Sequence, residues 1–180
     1  MSTVNLSRFT VNEHSYRRAR EIVNNKTQNN TTGARKTAND VLSSIREMKP
    51  GWNVGTTTAN WGEGVRNLQI SQSVLQRMAD DPEAMVEFKA FILDLEYVAQ
   101  EMEAWQEENP GYSLQVNFNL AEQQTLQATM TIRTLLGAET RSNMELSGER
   151  TTWADTINEK LNQMREGRSE EADGSRSWQA

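Results

Sequence analysis

Residues 68–105 read LQISQSVLQRMADDPEAMVEFKAFILDLEYVAQEMEAW, and the reading of this stretch decides the fold. It begins as the end of a strand, passes through a short helix, breaks at Asp81-Pro82 and continues as one long amphipathic helix. Asp is a good N-cap, and Pro in the first helical position gives up no hydrogen bond. Asp80, Asp81, Glu83 and Glu87 gather at that N-terminus, where the helix dipole favours negative charge. Met85, Phe88, Ile92, Leu95, Ala99 and Met102 recur three and four residues apart. Ala84, Phe91, Val98 and Trp105 repeat every seven and widen the stripe to the breadth of a helix lying on a sheet or bundle. Asn109-Pro110-Gly111 stops the helix near Glu108.

Upstream, Val65 to Ile70 reads as a strand with Leu68 and Ile70 on one face. Ser71 caps the short helix through Ala79, which buries Leu75 and Met78. Asn60-Trp61-Gly62-Glu63-Gly64 is a loop, since two glycines supply unusual φ angles at little cost. Trp52 to Thr58 alternates large apolar with small or polar residues and reads as another strand. Ala38, Val41, Leu42, Ile45 and Met48 mark a helix over 38–49, closed by Pro50-Gly51. Downstream, Tyr112, Leu114, Val116, Phe118 and Leu120 alternate with polar residues. TLQATMTIRTLL, residues 125–136, has period two and many threonines, which favours a strand over a helix. Residues 121–124 then form the hairpin loop.

The expected fold class is α+β. A small antiparallel or mixed sheet, with elements in the order α-β-β-α-β-β, packs on one long amphipathic helix between flexible N- and C-terminal segments. Residues 1–37 are expected to be a polar segment and linker with one short helix over 10–23, capped by Thr10 and Glu13. Residues 38–136 are the core domain. Residues 137–167 are a C-terminal extension, polar until Thr152 and then a helix with Trp153, Ile157, Leu161 and Met164 on one face and a Thr152/Asp155 capping box. Residues 168–180 are expected to be a disordered tail.

The 180 residues are 36% hydrophobic with a mean hydropathy of −0.77, which suits a core of roughly 100 residues with polar ends. Cysteine is absent, which excludes disulfides, thiolate metal sites and cysteine nucleophiles. Residues 1–50 hold nine Lys/Arg against four Asp/Glu, 51–110 three against eleven, and 111–180 seven against ten. The acidic middle repels phosphate, so no nucleic acid is expected as a partner. No apolar run is long enough to span a membrane, and no apolar leader opens the chain. A cytoplasmic protein is the default expectation, with non-classical export left open.

The helix, the Trp-bearing strand, the glycine loop and the phrase LQISQSVLQRMADDPEAM resemble a family of uncharacterised clostridial (Bacillota) proteins. The resemblance spans Ala38 to Leu136 and rests on Ile70, Ser71, Leu75, Met78, Ala79, Asp81, Pro82 and Glu83. It implies this layout and a bacterial source. It implies no activity, no cofactor and no functional residue.

The residues themselves carry no catalytic, cofactor or metal motif. His14, the single histidine, precedes a flexible linker, whereas catalysis needs rigid positioning. Asp94, Glu96, Glu101, Glu103, Glu107 and Glu108 read as the solvated side of the long helix. Gly55, Gly62 and Gly64 lack phosphate-loop spacing. The leading expectation is a non-enzymatic protein-interaction or accessory module that binds a protein through its sheet face, Trp61 and the stripe of Trp153, Ile157 and Leu161. Homo-oligomerisation through the C-terminal helix is open. The alternatives are a motif-less hydrolase-like enzyme with a carboxylate site, or an exported effector or structural component.

Overall fold

The chain is described by a computed structural model covering residues 3–6, 10–29, 37–57, 62–121 and 125–172, with backbone alone at 26–29 and 168–172. A small antiparallel hairpin opens it, β1 (Thr3–Asn5) with β2 (Thr10–Asn12), followed by α1 (Glu13–Asn29). Then come α2 (Ala38–Met48), β3 (Asn53–Gly55), β4 (Gly64–Ile70), α3 (Gln72–Asp80) and α4 (Pro82–Glu108). β5 (Tyr112–Leu120), β6 (Leu126–Thr134), β7 (Glu139–Leu146) and α5 (Arg150–Ala172) complete it.

The caps act as their chemistry dictates. Thr37 and Asp40 form a reciprocal capping box on α2, the Ser71 side chain accepts from the Val74 N–H, and Asp81 caps α4 with Pro82 in its first turn. The sheet order is β3-β4-β5-β6-β7. The first two pairings are parallel and the last two antiparallel, so the fold is α+β with a mixed sheet. Register sets Val54, Leu68, Phe118, Ala128 and Met144 in one cross-strand row, and Ile70, Leu120, Leu126 and Leu146 in the next. This face carries α4 and α5.

Three features depart from the sequence expectation. First, residues 10–29 are built into the fold. Val11, Ala19 and Val23 join the core, and α1 packs along α4 on the side away from the sheet. Second, the polar stretch after Gly137 holds a fifth strand, β7. Leu135-Leu136-Gly137 turn the chain into it, with Gly137 at φ +91°, a left-handed conformation that suits glycine. Third, α5 starts at Arg150, so Thr152 and Asp155 lie inside the helix, and it runs to Ala172. It docks on the core: Trp105 Nε1 donates to Asn162 Oδ1 at 2.9 Å and Arg165 Nη1 to Asn109 Oδ1 at 2.6 Å. Of the expected linker 24–37, residues 24–29 continue α1, and of the expected tail 168–180, residues 168–172 continue α5; residues 30–36 and 173–180 lie outside the described residues.

One carboxylate joins three parts of the chain. Asp94, fully buried on α4, accepts from the Asn12 N–H at 2.8 Å and from Ser15 Oγ at 2.6 Å. Arg150 at the start of α5 lies 3.6 Å from it and stacks on Tyr97. Burial raises the Asp94 pKa above the usual carboxylate range, against the pull of Ser15, Asn12 and Arg150. Replacing Asp94 with Ala should cost on the order of 3 kcal/mol, because it strands a buried N–H, a hydroxyl and a guanidinium. Urea unfolding gives the total. Hydrogen exchange should show α1 losing protection well before β5 and β6, and uniform loss across the chain would contradict this role.

Candidate functional site

Alternation along the strands gives the sheet two faces of opposite character. Opposite the helices, register aligns Gln69, Asn119, Gln127 and Glu145 in one row and Asn53, Asn67, Asn117, Thr129 and Asn143 in the next. A third row holds Gln115, Thr131 and Arg141. Gln127, Asn143, Glu145 and Arg141 are exposed, and Gln69, Asn119 and Thr129 half-exposed. Gln69, Asn119, Gln127, Thr129, Asn143, Met144 and Glu145 line an open groove of about 520 Å³.

The inner end of this face is locked by Asn67, which is fully buried. Its Nδ2 donates to the carbonyls of Gly62, Gly64 and Val116, and its Oδ1 accepts from Gly62 N at 3.0 Å and Asn53 Nδ2 at 2.8 Å. Gln115 Nε2 adds a bond to the Gly62 carbonyl at 2.7 Å. A Cβ at Gly62 would come within 2.3 Å of Asn53 Nδ2, so a larger residue there would have to displace the Asn53 side chain from its bond to Asn67. Next to Asn67, Asn117 is also buried, and its Oδ1 has no hydrogen-bond partner among the described residues. An unmatched buried carbonyl is costly, and native proteins keep few. Carboxamides both donate and accept, and the groove holds one carboxylate and no cation. It therefore suits a neutral, hydrogen-bonding ligand and repels an anion.

A second polar cluster lies on the helix side. One extra residue in β4, between Gly64 and Asn67, forms a bulge that aims Arg66 at α4. Arg66 Nη1 sits 2.5 Å from Glu96 Oε1, and its Nη2 2.8 Å from Glu103. Glu96 also accepts from Trp52 Nε1 at 3.1 Å, and the buried Lys49 lies 3.8 Å away with its ammonium over the Trp52 ring. Burial would raise Glu96, but the bonds from Arg66 and Trp52 hold it below its usual value. Burial, aided by Arg66 and opposed by Glu96, lowers Lys49 to about 8. A depressed lysine is a feature of catalytic sites. Here the ammonium packs on an indole between α2 and α4, and Lys49 and Asp94 each join α4 to a neighbouring part of the chain, away from the groove.

No family model matches the chain, and no curated protein or solved structure matches it.

The structure separates the residues expected to bind a partner. Trp153, Ile157 and Leu161 have 1%, 0% and 0% exposure and form part of the domain's own core, with Trp153 edge-on to Phe91 at 4.9 Å. Their stripe is the same pattern a partner-binding helix would show, but α4 and the sheet already cover it. Trp61 lies outside the described residues. Asp94 and Glu96, read as part of a solvated side, are a buried anchor and the centre of an ion network. Among the described residues the exposed large apolar side chains are Leu135 and Leu136, at 85% and 98%. The sheet face was visible in the alternation of residues 112–120, whereas Asn67 gave no signal because its role depends on the bulge.

Lys49 gives the protein a measurable pH signature. Its folded pKa of about 8 lies below that of the unfolded chain, so the unfolded state holds the extra proton between the two values. Stability should rise with pH across that window, by about 2 kcal/mol between pH 7 and 9.5. Urea unfolding should show the rise in the native chain and not in Lys49→Met. Parallel curves would mean that Lys49 keeps an ordinary pKa.

Proposed function

We propose that this chain is a non-catalytic protein-interaction module that binds through the open, carboxamide-bearing face of its five-stranded sheet. The observation that supports it is the asymmetry of the sheet: the helices occupy one face, and Gln69, Asn119, Gln127, Thr129 and Asn143 stand in ordered rows on the other. Rigid strands hold these groups at fixed spacing, so hydrogen bonding to a partner costs little ordering entropy. The partner that suits the face is a protein surface presenting neutral amides and hydroxyls.

The carboxylate-based enzyme reading loses its main support. Its carboxylates divide between the Asp94 anchor, the Glu96–Arg66–Glu103 network and exposed positions on α4. Among the described residues no three His, Asp or Glu side chains converge as a cation site would require. The C-terminal helix has its apolar stripe occupied, which moves any partner away from Trp153, Ile157 and Leu161.

A photo-crosslinking amino acid placed singly at Asn119 and at Gln127 tests the reading in the cells that make the protein. The same group at the exposed Gln163 of α5 is the control. A discrete adduct should form from the two sheet positions and not from the control. Adducts from the control alone, or none from the sheet, would refute the assignment.

A further inference from the structure

We propose that β7 is a self-pairing edge, through which two copies of this chain join antiparallel into one continuous ten-stranded sheet. The inference stands apart from the binding role of the sheet face, because it concerns the backbone at the rim.

β7 is the outer strand of the sheet, eight residues long, and pairs with β6 through an unbroken register. Exposed edges are usually blunted by short length, Pro, charged side chains (Lys above all), a bulge or a covering segment. The charges of β7, Glu139, Arg141 and Glu145, are of both signs. β7 is long and regular, contains neither Pro nor Lys, and has no outer neighbour strand among the described residues.

The direction of its free hydrogen bonds follows from the turn. Thr134 N–H bonds to the Ala138 carbonyl at 2.9 Å, and pairing then runs from Arg133↔Glu139 to Leu126↔Leu146. Along an antiparallel strand, successive residues turn their N–H and C=O to opposite sides. Thr140, Ser142, Met144 and Leu146 therefore face β6, and Glu139, Arg141, Asn143 and Glu145 turn their backbone groups outward.

Those four residues make the edge complementary to itself. A twofold axis through Asn143 pairs Asn143 with Asn143 of the second copy and Arg141 with Glu145 of the second copy, twice over. About six backbone hydrogen bonds form. Each Arg141–Glu145 pair lies directly cross-strand, where opposite charges attract and like charges repel. An axis through Ser142 would set Glu139 against Glu145, which disfavours that register. Within one copy, Arg141 reaches Glu139 only at 3.5 Å, and Glu145 has no ion pair among the described residues. The pairing also keeps polar face with polar face and apolar face with apolar face.

Sedimentation equilibrium of the full chain over a concentration series tests this. The native chain should show a monomer–dimer equilibrium. Arg141→Glu alone and Glu145→Arg alone should each weaken it by about tenfold to a hundredfold. The double exchange Arg141→Glu/Glu145→Arg should restore it, and an equimolar mixture of the two single variants should form a heterodimer. Asn143→Pro should remove the dimer with β6–β7 pairing kept, because the lost N–H points outward. Circular dichroism confirms that each variant stays folded. A chain monomeric at every concentration, or a dimer indifferent to both single reversals, overturns the proposal.

Discussion

Everything in this structure depends on one helix being buried on more than one side. Fourteen of the 27 residues of α4 are buried, and they encircle much of the helix rather than forming a single stripe. A helix apolar nearly all round is stable only when neighbours cover it all round. The sheet covers one side, α5 and α3 flank it, and α1 with β2 covers what remains. The N-terminal hairpin and α1 are therefore the third layer of the domain, not an arm. Removing them would expose Val86 and Ala90 to water and leave Asp94 without its bonds to Asn12 and Ser15.

The buried charges on α4 follow from the same constraint. Asp94 faces the N-terminal layer, where an apolar residue would satisfy neither the Asn12 N–H nor the Ser15 hydroxyl. It sets the register of α1 against α4 and, through Arg150, the start of α5. On another part of the helix, Glu96 and Glu103 receive Arg66 from β4, while Trp52 and Lys49 bring in the end of α2. Neighbouring elements thus contact α4 through an apolar patch together with a polar bond. The patch supplies most of the free energy, and the bond fixes position.

How much could be read from sequence follows from this. The α4 stripe, the Ser71 and Asp81 caps, and the alternation of β5 and β6 are local patterns, and each was legible. Lys89 and Asp94 hid the second buried side of α4, because a charged residue reads as solvated unless its partner is known. Those partners of Asp94 lie about eighty positions away in the chain. β7 was missed because Thr140 and Ser142 occupy its inner face near the turn, leaving Met144 and Leu146 as its apolar signal. The stripe of α5 was legible, but which surface it covers was not. The pattern of Trp153, Ile157 and Leu161 is the same whether it meets its own domain or another protein.

That last ambiguity bears on which surfaces the fold leaves free. Once α4, the sheet and α5 have covered one another, the helices present no large exposed apolar side chain among the described residues, and the exposed apolar pair is the Leu135-Leu136 turn. Besides the polar outer sides of the helices, the ordered and accessible surface among the described residues is the other face of the sheet and its β7 rim. A carboxamide face has no strong field, and any partner it takes in the proposed role is selected by the direction of hydrogen bonds rather than by charge. The chain is acidic overall, with a net charge of −6, yet this face balances Arg141 and Arg133 against Glu145 and Glu139. Long-range steering is therefore weak there, and in the proposed role selectivity would come from the fixed geometry of the strands. The α4 stripe that dominates the sequence supplies that rigidity from the opposite face of the sheet.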